Sequence, residues 1–377
     1  MNRPTAIQLL SQAALSATGF LIPVFATSIG AGPIAVGAIG ATFGGAQFVA
    51  SALGGRLADM HGRRRLLKIG LGAATVACLG HLVVATPAAL AVARAAFGFA
   101  AGLFPPALLS IAYDRNRRLG RFTGWGGLGF AVGAFLGGLA TARVTGADTD
   151  LRPMFLLSTA LLLGSYLIAL TVREAPRHDV VVDLFPHEVV RRNFPAYFAM
   201  LVRHVGAAAV WIVFPLYLVG IGVPLGWVGF IHATNGAFQF FAMPFADRFR
   251  PVPLVLTGCA MSGAVFVGFY EATSVWHFLA LQPLLAASWA ALYMGTLKYV
   301  LEARSEERAT ATGLLQSSIQ LSNVFGPAIG GLVAWRWGYH ATFVVGALGS
   351  VAAAGVFLAG VRKGRAHAGA DAAPASE

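Results

Sequence analysis

The chain has few charged residues for its length. Of its 377 residues, 11% are Asp, Glu, Lys or Arg, whereas an ordinary soluble domain has about 25%. Apolar residues make up 57% of the chain, and the mean hydropathy is +0.71. A water-exposed surface needs roughly a quarter to a third of its positions charged. The composition therefore excludes a soluble protein and indicates an integral membrane protein.

Cysteines and catalytic motifs are also scarce. Cys78 and Cys259 each lie inside an apolar segment, which indicates small buried side chains and not a disulfide or a metal site. The sequence has no phosphate-cradling loop, paired catalytic carboxylates or zinc-ligand spacing, so we expect no enzyme activity, cofactor or bound metal. The net charge of +12 does not indicate nucleic-acid binding, because the cations lie in short clusters and form no basic stripe.

Apolar segments of about 20 residues, the length that crosses the hydrocarbon core, recur along the chain. The sequence predicts an all-α membrane protein of twelve transmembrane helices in two pseudo-symmetric six-helix bundles. We expect bundles at 1–172 and 194–361, a cytoplasmic linker at 173–193 and a disordered cytoplasmic tail at 362–377. The predicted spans are 5–27, 33–57, 66–86, 88–112, 121–143, 153–172, 194–219, 225–246, 252–271, 275–299, 309–334 and 340–361.

The cations predict the orientation of these spans. With the N-terminus in the cytoplasm, 22 of the 27 Lys and Arg residues lie on the cytoplasmic side and 3 on the outer side, as the positive-inside rule requires. We therefore expect a multi-pass protein of the inner cell membrane with both termini in the cytoplasm. An internal repeat supports two bundles, since 133–138 (GAFLGG) is echoed by 326–331 (GPAIGG).

Three motifs resemble those of one transporter family. Gly55–Arg65 (GRLADMHGRRR) is similar to the Gly-x-Leu-x-Asp-x-x-Gly-Arg-Arg signature of the major facilitator superfamily. Arg94 and Gly98 match its Arg-x-x-x-Gly pattern, and 129–138 resembles the glycine motif of its drug–proton antiporters, with Ala134 where proline is usual. The resemblance implies a monomeric secondary transporter that works by alternating access, with spans 1, 4, 7 and 10 lining a central cavity.

The resemblance also implies conformational gating at the cytoplasmic ends of spans 2 and 4, where ion pairs close that side in the outward-facing state. The alternative is that these arginines only anchor the topology. The predicted gating residues are Gly55, Asp59, Gly62, Arg63, Arg64 and Asp114.

Small residues at four-residue spacing allow helices to approach closely in lipid. They serve either as static packing positions or as a sliding surface between the bundles. The predicted packing residues are Gly129, Gly133, Gly137, Gly326, Pro327 and Gly330.

Ionisable side chains inside spans are costly, by roughly 2.5–3.5 kcal/mol on insertion scales, and each is a candidate for function. None of the 15 carboxylates falls in the middle of a predicted span, whereas two arginines do. Polar stripes at helical spacing occur in spans 8 and 11 and either join helices or line a pore. The candidate substrate-binding or coupling residues are Arg94, Arg203, His204, His232, Asn235 and Gln239.

The unmatched arginines favour a small organic anion or an amphiphilic compound as the substrate, with proton coupling through His204. Alternatives are a multidrug efflux proton antiporter, a soft-metal (copper) transporter and a membrane receptor that transports nothing. The compound, the direction of transport and the coupling ion do not follow from the sequence.

Overall fold

The computed structural model describes residues 2–115, 119–141, 151–172, 187–301 and 308–371. In these ranges the chain forms twelve helical spans, as predicted, and 10 of them are long and apolar enough to cross a membrane. The other two, spans 8 and 11, have sufficient length, but their polar stripes lower their hydropathy.

The bounds of the helices follow the predicted spans closely. Span 7 begins at His187, inside the predicted linker, and span 12 continues past the predicted tail boundary to Asp371. In the N-terminal bundle, span 1 is Arg3–Gly19 and Ile22–Ser28, span 2 is Pro33–His61, span 3 is Arg63–Leu79 with the 3₁₀ turn Gly80–Val83, span 4 is Pro87–Arg115, span 5 is Leu119–Thr141, and span 6 is Arg152–Leu170. In the C-terminal bundle, span 7 is His187–Trp211 and Phe214–Gly220, span 8 is Leu225–Ala246, span 9 is Pro251–Glu271, span 10 is Val275–Leu301, span 11 is Arg308–Trp337, and span 12 is Ala341–Asp371.

Spans 1 and 7 break in the same way. In each, a short second helix begins with a proline in its first turn, Pro23 or Pro215, because proline lacks the N–H that would continue the preceding helix. Two residues after the end of each short helix stands a glycine with positive φ, Gly30 at 93° and Gly222 at 84°. Both pairs are 192 residues apart, so these breaks extend the internal repeat.

The buried apolar residues form two separate clusters on one side of the protein and one continuous cluster on the other side. We call the side that holds both chain ends the terminal side, and the other the opposite side. On the opposite side one continuous cluster, here the shared core, joins Phe25 and Phe155 of the N-terminal bundle to Phe214 and Phe343 of the C-terminal bundle. The remaining core residues form one separate cluster in each bundle. The shared core therefore closes the path between the bundles on the opposite side.

The bundles also meet along two pairs of helices rich in small residues. Span 5 packs against span 8, where a Cβ added to Gly138 would lie 2.9 Å from the Cα of Gly229. Span 2 packs against span 11, where a Cβ added to Gly37 would lie 3.0 Å from the Cα of Gly331. Side chains at these glycines would push the bundles apart, so the glycines set the distance between them.

Candidate functional site between the two bundles

Arg203 is held by hydroxyl groups inside the C-terminal bundle. Its side chain is 2% exposed, and its Nε and Nη2 donate to Oγ of Ser262 in span 9 at 3.0 and 2.8 Å. The Ser262 hydroxyl donates to Oγ of Ser288 at 3.2 Å, which donates to the Leu285 carbonyl at 2.7 Å. The guanidinium also lies 5.7 Å from the ring centroid of Trp289. This predicted site residue is therefore part of a buried network that joins spans 7, 9 and 10.

His204 begins a row of polar and aromatic side chains that crosses to span 11. Its ring lies 5.1 Å from that of Trp289, which stacks on Tyr293 at 5.4 Å. The Tyr293 hydroxyl accepts from Nε2 of Gln316 at 2.8 Å. Nδ1 of His204 is buried without a hydrogen-bond partner in the described part of the chain. The row thus contains one open hydrogen-bonding position beside an aromatic surface.

His232 lies where rings from both bundles meet. Its Nδ1 is 2.9 Å from the Val228 carbonyl; a carbonyl only accepts, so this nitrogen carries the proton and Nε2 of the neutral ring is an acceptor. Two of the surrounding rings belong to the N-terminal bundle and two to the C-terminal bundle. They are Phe20 at 5.0 Å, Phe130 at 6.5 Å, Trp211 at 5.4 Å and Phe214 at 5.8 Å between ring centroids.

The rest of the span 8 stripe joins neighbouring spans through amides. Gln239 Nε2 donates to Asn235 Oδ1 at 2.6 Å, and Asn235 Nδ2 lies 3.5 Å from the Gln282 carbonyl of span 10. Gln239 also borders span 5, because a Cβ added to Gly127 would lie 3.1 Å from the Gln239 Cβ. The stripe therefore joins helices, and its Gln239 also borders the bundle interface.

Arg94 lies in the other bundle, and no described contact joins it to Arg203. Its Cζ is 3.8 Å above the ring of Phe43 in span 2 and 5.6 Å from that of Phe97. Its Nε is buried and has no hydrogen-bond partner in the described ranges. The two arginines predicted from sequence therefore do not form one site.

The gating candidates that the structure describes lie at helix ends, where they turn the chain or bond to a neighbouring helix. Gly62 has φ of 94°, a conformation that favours glycine, and it turns the chain between spans 2 and 3. Arg63 begins span 3, and Nη2 of Arg64 donates to the Leu170 carbonyl at the end of span 6 at 3.0 Å. The side chains of the remaining gating candidates lie outside the described set. These are Gly55, Asp59 and Asp114.

The predicted packing glycines contact helices of their own bundle. Gly129, Gly133 and Gly137 face the backbone of span 1, and Gly326 and Gly330 face span 7, at distances that leave no room for a Cβ. Pro327 is different, because it lies against Gly37 and Gly40 of span 2 in the other bundle. The surface between the bundles is instead formed by glycines such as Gly127, Gly138 and Gly229, which the spacing argument did not select.

Sequence reasoning also missed the partners of the polar side chains. Ser262 is one serine in an apolar helix, so nothing in its pattern connects it to Arg203. The proline breaks of spans 1 and 7 had a detectable signal, since the prolines and the following glycines recur at the same shift of 192 residues.

Twelve spans in two similar bundles, with a site of rings and amides between them, define a membrane transporter. The profile of the Major Facilitator Superfamily matches residues 5–231 and, in a second match, residues 196–376. The chain belongs to this superfamily of secondary transporters.

Relatives of this chain include multidrug resistance proteins and a solute carrier. The multidrug resistance protein MdtG of Dickeya zeae is 29% identical over 320 residues, which cover 79% of this chain and 77% of that protein. Solute carrier family 22 member 18 of Rattus norvegicus is 24% identical over 347 residues, covering 84% and 83%. The crystal structure of a D-xylose–proton symporter has a TM-score of 0.73 at 18% identity and covers 94% of this chain and 95% of its own. The structural likeness confirms the fold.

Proposed function

We propose that the protein exports amphiphilic compounds that carry an aromatic or other apolar part. The observation that supports this is the composition of the bundle interface: four rings surround His232, and the nearby polar groups are neutral amides. Sites that bind apolar ligands combine many aromatic side chains with a few placed polar groups. The match to MdtG, whose name describes multidrug resistance, supports export as the direction.

A small hydrophilic anion is less well supported than the sequence suggested. That preference depended on two buried arginines without partners. Arg203 has hydroxyl partners within its own bundle, and Arg94 lies against Phe43 away from the row that contains His204. Of the two substrate classes expected from the sequence, we therefore favour amphiphilic compounds. Small hydrophilic anions serve as the comparison that tests this choice.

Orientation follows from the charges. We place the terminal side in the cytoplasm of a cell with an inner membrane, because the sequence assigns 22 of the 27 cations to the loops and span ends of that side. The shared core then closes the outer side, and the cavity is reached from the cytoplasm. The protein acts as a monomer without enzyme activity, and a proton gradient drives the cycle through His204.

Ligand-induced stabilisation of the purified protein tests the substrate class. The panel contains neutral, anionic and cationic amphiphiles and small hydrophilic anions, each measured by the shift in Tm. Compounds that raise Tm are then tested for uptake into inverted membrane vesicles, which corresponds to export from cells. We expect amphiphiles to raise Tm and to accumulate when the vesicles are energised. Stabilisation by hydrophilic anions alone contradicts the proposal, and stabilisation without transport indicates a receptor.

A further inference from the structure

Of the five buried polar atoms without partners in the described part of the N-terminal bundle, three lie on the neighbouring spans 3, 4 and 6. They belong to His81 at the end of span 3, Arg94 in span 4 and Thr159 in span 6, whose side chains are 1%, 6% and 9% exposed. The atoms are His81 Nε2, Arg94 Nε and Thr159 Oγ1, and none has a hydrogen-bond partner among the described residues. Unsatisfied buried polar atoms are rare in folded proteins, so three on neighbouring spans call for an explanation.

Shared neighbours show that the three side chains converge. The Phe97 ring lies 5.7 Å from the His81 ring and 5.6 Å from Arg94 Cζ. Phe155 stacks on His81 at 4.8 Å, and its carbonyl accepts from Sγ of Cys78 at 3.6 Å. The Cys78 thiol also lies near the Thr159 hydroxyl, without the geometry of a hydrogen bond, and within the field of Arg94. Spans 3, 4 and 6 therefore present their open polar atoms to one region.

The hydrogen-bonding chemistry of this region is specific. His81 Nδ1 lies 3.1 Å from the Ala77 carbonyl, so it donates, and the neutral ring offers only a lone pair at Nε2. Arg94 Nε offers an N–H, and Thr159 can donate or accept. A water molecule could bond to all three atoms, but it would leave the charge of a nearly fully buried guanidinium without a counterion, which is costly in a membrane.

The charged surroundings attract an anion. The groups with charge or a titratable proton next to His81 are the Arg94 guanidinium from span 4 and the Cys78 thiol from span 3. Arg152 of span 6 bonds to the backbone beside His81, where its Nε donates to the Leu82 carbonyl at 3.1 Å. In the described ranges none of these neighbours is a carboxylate. An anion at this position would offset the positive charges, but it would repel the lone pair of Nε2 unless that nitrogen carried a proton.

We propose that Arg94, His81 and Thr159 form a binding site for a small monovalent anion that enters together with a proton on His81. The anion accepts hydrogen bonds from Arg94 Nε, the Thr159 hydroxyl and the protonated His81 Nε2. Because binding is coupled to protonation, anion affinity increases as pH falls, and anion binding takes up a proton. This site lies inside one bundle and does not depend on the substrate class proposed above.

Proton uptake measures this coupling directly. The purified protein in weakly buffered sodium gluconate at pH 6 is titrated with sodium chloride or sodium benzoate while the pH is recorded. We expect uptake that approaches one proton per protein, and an increase in Tm of about 2 °C or more in the binding anion at pH 5.5 but less at pH 7.5. A response to chloride identifies an inorganic ion, and a response to benzoate alone identifies a carboxylate. A response to neither overturns the proposal and leaves water as the occupant.

Three variants and two controls assign the response to these residues. Arg94→Gln and His81→Gln should abolish proton uptake, and Thr159→Val, which keeps the shape of the side chain, should weaken anion binding several-fold. The matched controls His277→Gln and Arg336→Gln change exposed residues of the C-terminal bundle and should keep the full response. If Thr159→Val and His81→Gln bind the anion as the unmodified protein does, the site is elsewhere and the proposal is wrong.

Discussion

In the part of the chain that the structure describes, each bundle buries one arginine, and the two arginines are held in different ways. In the C-terminal bundle, Arg203 donates twice to Ser262, which continues to Ser288. In the N-terminal bundle, Arg94 lies on the face of Phe43, and its Nε has no described partner. The hydrogen bonds of Arg203 stabilise the C-terminal bundle, whereas the Nε of Arg94 can still donate a hydrogen bond to a further group. Similar residues in a duplicated architecture therefore have different functions, and the difference lies in the neighbouring spans.

The largest effect is expected for Ser262→Val. This change removes the acceptor of both Arg203 hydrogen bonds and leaves a buried cation without a polar partner, so we expect a loss of about 2–4 kcal/mol in stability. Thermal unfolding of the purified protein measures it as a decrease in Tm. Ser262→Thr keeps the hydroxyl and serves as the control. An unchanged Tm for Ser262→Val would show that the serine network does not stabilise the bundle.

Arg94→Leu should change the stability of the protein in the opposite direction. Replacement of a buried charge that lacks a counterion by an apolar residue is often neutral or stabilising, by about 1 kcal/mol or more. We expect an equal or higher Tm in a chloride-free gluconate medium. The matched change Arg203→Leu should lower Tm, since Ser262 then loses both hydrogen bonds from a charged donor. If both variants lower Tm equally, the contrast between the bundles is wrong.

A change in pH dependence should distinguish the two histidines that lie beside these arginines. His204 belongs to the row that reaches span 11, which packs against the other bundle, and His81 does not, so His204→Gln should reduce the pH dependence of transport by roughly half or more if it is the site that titrates during the cycle. His81→Gln should leave that dependence unchanged in medium without small anions. Transport into inverted vesicles at pH 5.5 and 7.5 provides the measurement. A wild-type profile for His204→Gln would make this histidine a packing residue.

The smallest effect on stability is expected for Thr159→Val. Its hydroxyl has no partner in the described structure, so its loss removes no hydrogen bond, and we expect a change within about 0.5 kcal/mol in chloride-free medium. Both Thr159→Val and Ser262→Val remove one hydroxyl group, and Ser262→Val also adds a methyl group to the side chain. Apart from that added methyl group, the difference between the two Tm shifts measures how differently the bundles use their hydroxyl groups.

The fold was predictable because it depends on patterns that are local in sequence. Length and hydropathy predicted all twelve spans, including spans 8 and 11, in which polar stripes dilute an otherwise apolar helix. The exact ends of the helices were less predictable. Span 7, for example, begins at His187, inside the segment that was predicted to be a linker. Hydropathy falls at the membrane surface, whereas a helix can continue beyond it, so the apolar segment alone does not show where the helix begins.

The candidate site was predictable only in part. The sequence identified Arg94, Arg203 and His232 as buried polar residues, and all three are buried. It did not show that Ser262 holds Arg203 or that Phe20, from the other bundle, stacks on His232. Such pairs are set by the rotation of each helix about its axis, which tertiary packing determines and which a short polar pattern does not record.

The two proline breaks have a consequence for selectivity. Proline has no N–H, so Pro23 and Pro215 cannot donate the usual helical bond to the carbonyl oxygens four residues earlier, those of Gly19 and Trp211. Spans 1 and 7 thus each carry a backbone acceptor at an equivalent position, provided by the main chain and not by any side chain. A bound donor group could use this pair whatever residues line the path. Recognition at these two points would then survive extensive substitution of side chains and would be lost on replacement of the prolines.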